Sequence, residues 1–200
     1  MNNKTYLFID GSNLYGSQFK LFGPNNYLDF LEFIKSLEEQ VKVKFNKIYF
    51  YASYSPKSSN PNKKEKEYLR NEALFYRSVK ELAPRLEFFK GYRSRTSHKE
   101  KEVDVKLTAD FISFAFLNRF DTAYLMTGDA DFLQAIFNIQ KYHNRKKIYL
   151  LCMENNIMYK GAHYFKTFVL KFKNNKLEFH DGKKIVLLTM NSEEMVKSVV

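Results

Sequence analysis

Three features of the sequence predict an α/β fold whose mostly parallel sheet is covered by helices. Short apolar runs rich in β-forming residues alternate with longer stretches whose apolar side chains recur at helical spacing. Turn-favouring clusters, Asp10-Gly11-Ser12-Asn13 and Gly128-Asp129-Ala130-Asp131, end two of the strand-like runs. No internal repeat or long linker interrupts the 200 residues, so one domain with a C-terminal elaboration is the simplest organisation.

Residues 5–9 (TYLFI) read as a buried first strand ended by the Asp10 cluster. Leu28, Leu31, Phe33, Ile34, Leu37 and Val41 then recur at helical spacing, and 47–53 (KIYFYAS) reads as a second strand, which completes a βαβ unit. Residues 53–64, rich in Ser, Pro, Asn and Lys, suit a loop. A helix over 65–82 carries Tyr68, Leu69, Leu74, Phe75, Val79 and Leu82; Pro84 ends it, and 85–90 form a third strand. The polar, basic stretch 91–101 (GYRSRTSHKEK) has no periodicity and is expected to be a mobile loop. Val103, Leu107, Phe111 and Ala115 mark a largely buried helix, 121–127 a fourth strand, Phe132, Ala135, Ile136 and Ile139 a further helix, and 147–152 a fifth strand. Beyond residue 154 the pattern loosens. Residues 177–180 and 185–189 are expected to pair as a hairpin through Asp181-Gly182, with a short helix from Ser192. The chain therefore divides into a main domain, 1–154, and an elaboration, 155–200, packed on it.

Composition excludes several classes. A single cysteine, Cys152, can form neither an intramolecular disulfide nor a cysteine-based zinc site, and no signal-peptide pattern opens the chain, so a cytoplasmic protein is the default expectation. The apolar runs fall far short of the ~20 residues that span a bilayer, and no membrane partner is expected. Net charge is +11, and its distribution carries more information than its sum. Residues 56–106 carry +6 and 141–184 carry +8, while 107–140 carry −3, with four aspartates against Arg119 alone. A basic surround with an acidic centre suits a phosphate backbone bound around a metal or acid site; a solvated basic surface is the plainer alternative.

In open parallel sheets, ligands sit beyond the carboxyl ends of the strands, where loops and helix N-termini converge. Asp10 directly follows the first strand; Asp129 and Asp131 follow the fourth; Asp104 lies in the first turn of the helix after the third. Four carboxylates at one edge repel one another unless a cation neutralises them, which implies Mg²⁺ or Mn²⁺ held by oxygen ligands and water. Asp121 belongs at the far end of the fourth strand, roughly 20 Å away at ~3.3 Å per residue. Asp110, six positions after Asp104, turns away from the same helical face. The four histidines show no metal-ligand spacing, and none is assigned to catalysis.

Residues 8–14 (FIDGSNL), 102–110 (EVDVKLTAD) and 121–132 (DTAYLMTGDADF) resemble the three signature blocks of NYN domains of the LabA-like (DUF88) group, a branch of the PIN-like nucleases. The resemblance covers roughly residues 4–152. It implies a PIN-like, Rossmann-like three-layer fold and metal-dependent cleavage of RNA, with the acidic roles falling on Asp10, Asp104, Asp129 and Asp131. Asn13 matches the family's asparagine near the first acid, and Asp110 a recurrent acid of the second block. A bound Mg²⁺ or Mn²⁺ would polarise the phosphoryl oxygen and activate water, so no histidine base is needed. Ser12 and Thr127 could position water or the substrate phosphate. Arg93, Arg95, Lys99 and Lys101, in the loop leading to Asp104, are the first choice for substrate contact; Lys63, Lys64, Lys66 and Arg70 could track phosphates, and Tyr54, Tyr68 and Tyr92 could stack on unpaired bases. Dimers are common among PIN-like nucleases, so a homodimer is an option, with the C-terminal hairpin an available interface.

Other chemistries fit less well. An aspartyl-phosphate phosphatase needs a second aspartate two residues after the first, where this chain has Ser12, and no Gly-rich loop with Lys-Ser/Thr marks a nucleoside triphosphatase. The alternative from another class is an RNA-binding or protein-interaction module with a vestigial metal site.

Overall fold

The computed structural model describes residues 3–23, 26–93, 100–156, 167–173, 176–181, 184–187 and 196–198. Its centre is a parallel sheet. Strand β1 (Thr5–Asp10) lies in the middle, flanked by β3 (Lys47–Ser53) and β4 (Leu86–Arg93) on one side, and by β6 (Thr122–Met126) and β7 (Lys147–Met153) on the other. Strand β8 (Thr167–Lys173) continues it in parallel with β7, and β9 (Lys176–Asp181) and β10 (Lys184–Leu187) add two antiparallel strands beyond. At the other edge β5 (Glu100–Lys101) folds back on β4. A separate two-stranded ladder joins β2 (Asn26–Leu28) to β11 (Val196–Ser198).

Strands β1, β3, β6 and β7 are largely apolar because both faces are covered. Successive strand side chains point to opposite faces, so each strand supplies two cores. Leu7 and Ile9, Ile48, Phe50 and Ala52, and Tyr124 and Met126 face the core roofed by α1 (Gly11–Phe22), α2 (Phe30–Val41) and α3 (Lys63–Lys80). Phe8, Tyr49 and Tyr51, and Ala123 and Leu125 face the core under α4 (Val103–Phe116) and α5 (Leu133–Tyr142). Rings fill both: Phe8 meets Phe111 edge-on at 5.0 Å, and Phe50 stacks on Phe88 at 5.3 Å. Such pairs contribute about 0.5–1.5 kcal/mol each beyond area burial.

Several expectations change. Helix α1 begins directly at Gly11, where the Asp-Gly-Ser-Asn cluster suggested only a turn: those residues cap a helix, with the Asp10 side chain accepting from the Asn13 N–H. Residues 91–93 and 100–101, expected in a mobile loop, pair as strands, Tyr92 opposite Lys101 and Arg93 opposite Glu100. An edge ladder is satisfied by backbone bonds alone, and charged side chains are common there, so the stretch carries no apolar pattern. The hairpin after β8 forms, yet its last pair is Asp181 with Lys184, which moves the connection to residues 182–183. Of the helix expected from Ser192, residues 192–195 lie outside the described residues, and 196–198 form a strand against β2 instead. Among the described residues no helix is long and apolar enough to cross a membrane.

Candidate active site

The strand order 4-3-1-6-7 reverses between β1 and β6, the two strands whose carboxyl ends carry the aspartate clusters. A crevice at such a switch point is where open parallel sheets bind ligands. Asp10 ends β1 and caps α1, so its carboxylate is fixed by two elements at once. It is 5% exposed, and both of its oxygens accept hydrogen bonds: Oδ1 from the Asn13 N–H at 3.0 Å, Oδ2 from the Thr127 hydroxyl at 3.0 Å.

Thr127 stands one residue past β6, its N–H still donating to the Leu151 carbonyl at 3.0 Å. Its hydroxyl gives its proton to Asp10 and accepts the Asp129 N–H at 3.1 Å. One side chain thus ties the first acid to the backbone of the third. Asn13 makes a second tie, its Oδ1 accepting the Gly128 N–H at 3.0 Å. Asp129 then caps the 3-10 turn Ala130–Phe132, accepting the Asp131 N–H at 2.9 Å. Ser12, half-buried, accepts the Ser53 N–H at 3.4 Å, which joins the start of α1 to the end of β3.

Asp104 and Asp131 are exposed, and Asp129 is partly buried. At ~100° per residue Asp104 falls within about 60° of Leu107, on the sheet-facing side of α4. Its exposure there follows from its place in the first turn: α4 spans 14 residues, ~21 Å at 1.5 Å per residue, and leads through a short connection into β6, so its N-terminus lies at the carboxyl edge of the sheet. Asp110 is set deeper. It accepts from the Tyr51 hydroxyl at 2.9 Å and pairs with Lys106. Burial first, and Asp110 second, push the Tyr51 phenol well above its ordinary range. Asp121 is at the opposite edge, accepting the Lys4 N–H at 2.9 Å.

Among the described residues no group of three or more His, Cys, Asp or Glu side chains is placed to hold a metal ion. The acids at the carboxyl edge therefore do not form a closed cage. Asp10 and Asp129 offer a two-carboxylate, oxygen-only set, which suits Mg²⁺ or Mn²⁺, since such ions keep several waters and take one or two carboxylates plus a substrate phosphate. Of the expected substrate contacts, Arg95 and Lys99 lie outside the described residues; Arg93 and Lys101 are placed only as strand positions. Lys63, Lys64, Lys66 and Arg70 lie exposed on α3. Tyr68 packs edge-on against Tyr15 at 5.2 Å and Phe19 at 4.9 Å, which makes it a joint between α1 and α3. Tyr54 lies edge-on to Tyr76 at 5.1 Å, with the Lys90 ammonium over its ring at 5.0 Å.

One contributor escaped the sequence reading. Glu72, buried in α3, accepts both the N–H and the hydroxyl of Ser55 at 2.8 Å each, pinning the loop that leaves β3 at the carboxyl edge. A signal existed: Glu72 sits at helical spacing between Tyr68 and Phe75, an acid on an apolar stripe.

No curated protein matches the chain. Among solved structures it is similar to a protein of unknown function from Vibrio parahaemolyticus RIMD 2210633, with a TM-score of 0.61 and 16% identity over 88% of this chain and 96% of that one. At that identity the likeness extends to the fold alone. The NYN domain family model matches residues 4–168, taking in both strands of the switch point, α4 and the start of β8. With its parallel sheet and most of its length matched, the chain belongs to the NYN domain family, within the PIN-like superfamily.

Proposed function

We propose that this protein is a metal-dependent ribonuclease, of the LabA-like kind, that hydrolyses phosphodiester bonds at the β1/β6 switch point. The observation that carries this reading is the Thr127 hydroxyl held between the Asp10 carboxylate and the backbone N–H of Asp129, which ties the two acid-bearing segments together at the switch point. Membership of a nuclease family supports it. Asp10 and Asp129 would hold Mg²⁺ or Mn²⁺, with Asp104 and Asp131 contributing through water. When bound, the cation supplies Lewis-acid activation of the phosphate and of the attacking water.

The chain's own residues do the rest. Asp10, held by donors on α1 and just past β6, keeps its carboxylate oriented without reorganisation. Thr127 and Asn13 hold the β6 loop against α1, fixing the separation of the two acids. Exposed lysines on α3 offer positive charge suited to a phosphodiester backbone.

The test replaces Asp10 and Asp129 together by Asn and assays Mn²⁺-dependent cleavage of total RNA. Asn caps helices as well as Asp does, so the fold is expected to survive while cleavage falls by at least about 10²-fold, within the span that active-site electrostatics supplies. Full activity in the double variant sinks the assignment. The competing reading, an RNA-binding module with a vestigial site, requires RNA to bind equally well in EDTA and to stay intact when Mn²⁺ is restored.

A further inference from the structure

We infer that the protein carries a second binding site, for a single nucleotide unit, at the amino edge of the sheet, formed by the pocket between the C-terminal ends of α4 and α5. The pocket encloses about 360 Å³, within the usual range for small-molecule sites. It lies at the end of β6 opposite Thr127, so at ~3.3 Å per residue it is roughly 20 Å from the acid crevice. This inference does not rest on the nuclease reading.

The lining has the three kinds of group a nucleotide requires. Tyr142 supplies an aromatic face: it is 61% exposed, in a fold that otherwise buries most of its large rings. Phe116 backs it, with its ring centroid 6.4 Å from Tyr142 and 4.3 Å from the His143 imidazole. A base can stack on such a platform whatever its sequence, since every base has a π-face. Asn118 and Asn144 offer amides that match the donor and acceptor edge of a base.

A cation completes the set. Arg145 is exposed, lines the pocket and makes no ion pair among the described residues. Lys146 is committed elsewhere, donating to the Phe120 carbonyl, and so shapes the wall rather than meeting a ligand. Arg145 presents the planar fork that fits a phosphate. The single acid, Asp121, has one oxygen engaged by the Lys4 N–H; its remaining acceptor capacity suits a base N–H or a ribose hydroxyl. An apolar partner peptide would leave Arg145 and two amides facing nothing; a nucleotide uses each of them.

The nucleotide unit can be free or part of an RNA chain, and the experiment separates the two. Full-length protein in EDTA, which removes any metal-centre contribution, is titrated with the four 5′-nucleoside monophosphates and with a short single-stranded RNA oligonucleotide. Tyr142→Ala and Arg145→Ala, both at exposed positions, are compared with Tyr142→Phe. Loss of at least about tenfold in affinity for a monophosphate in both alanine variants, with Phe retaining binding, establishes a site for the free unit. The same loss seen only with the oligonucleotide establishes a contact for a unit within a chain. Unchanged affinity in both arms, or no binding of either probe by the wild type, overturns the proposal. Cleavage by the Asp10 and Asp129 centre is scored separately, so failure here leaves the nuclease reading standing, and the reverse.

Discussion

At the scale of single residues, the site depends on one hydroxyl. Thr127→Val keeps the shape but removes the proton given to Asp10 and the acceptor of the Asp129 N–H. A buried carboxylate oxygen left without its donor costs about 1–3 kcal/mol. Thermal unfolding should therefore show a loss of that size, and cleavage a drop of at least tenfold, with Thr127→Ser restoring both; a valine variant as stable and active as the wild type would rule out the bridging role. Asp10 and Asp129 were legible because a strand end followed by acids is a local pattern. Glu72 was not, because its partner Ser55 lies in a loop whose path only the folded chain defines. Thr127 was expected to position water or the substrate phosphate; its hydroxyl is engaged by the protein itself, a pairing that spans 117 positions and leaves no trace in local sequence.

At the scale of elements, the sheet was legible where both faces are buried and obscure elsewhere. Strands β1, β3, β6 and β7 are apolar runs because each feeds two cores. Helix α1 was missed: its segment (GSNLYGSQFKLF) mixes glycine and serine into a weak stripe, and its cap doubles as the end of a strand. Strands of two or three residues, such as β5, β2 and β11, are too short to show any period. The junction of β1 and α1 admits only a residue without a Cβ, since a Cβ at Gly11 would lie well inside van der Waals contact with the Phe50 ring. That ring cannot swing away, held by Phe88 stacked at 5.3 Å and Phe30 edge-on at 5.5 Å. Gly11→Ala should destabilise the protein by about 1–3 kcal/mol through overpacking, measured as a lower urea midpoint with an unchanged slope. A midpoint at or above that of the wild type would mean the helix start is less tightly docked.

At the scale of the whole molecule, both aromatic cores set a limit on the alkaline side. Burial is the main cause that pushes the Tyr49 and Tyr124 phenols up to about 12, and it raises Tyr15 and Tyr51 as well. In the unfolded chain these groups ionise near ~10; in the folded chain they stay neutral to higher pH. The stability they contribute is complete below ~10 and declines as pH rises past it, because only the unfolded state releases those protons. For Tyr49 and Tyr124 the loss is complete once the pH passes about 12. Urea midpoints should fall steeply above about pH 10, and Tyr51→Phe should make that fall shallower even where it weakens the protein by removing the bond to Asp110. An equal slope in both proteins would contradict the burial of that phenol. Cys152, pushed up to about 12 by burial, should resist thiol reagents until the protein unfolds.

The central position of β1 also dictates when the crevice can exist. Asp10 is synthesised well before its partner: the hydroxyl that holds it is 117 residues later, and the strand that seats that hydroxyl pairs in turn with β7. A nascent chain that has not yet extended past residue 127 possesses the first acid and none of its bridge to the second. Two separately expressed pieces broken between β4 and α4 would each lack half of the switch point, and any cleavage would appear only on their reassociation.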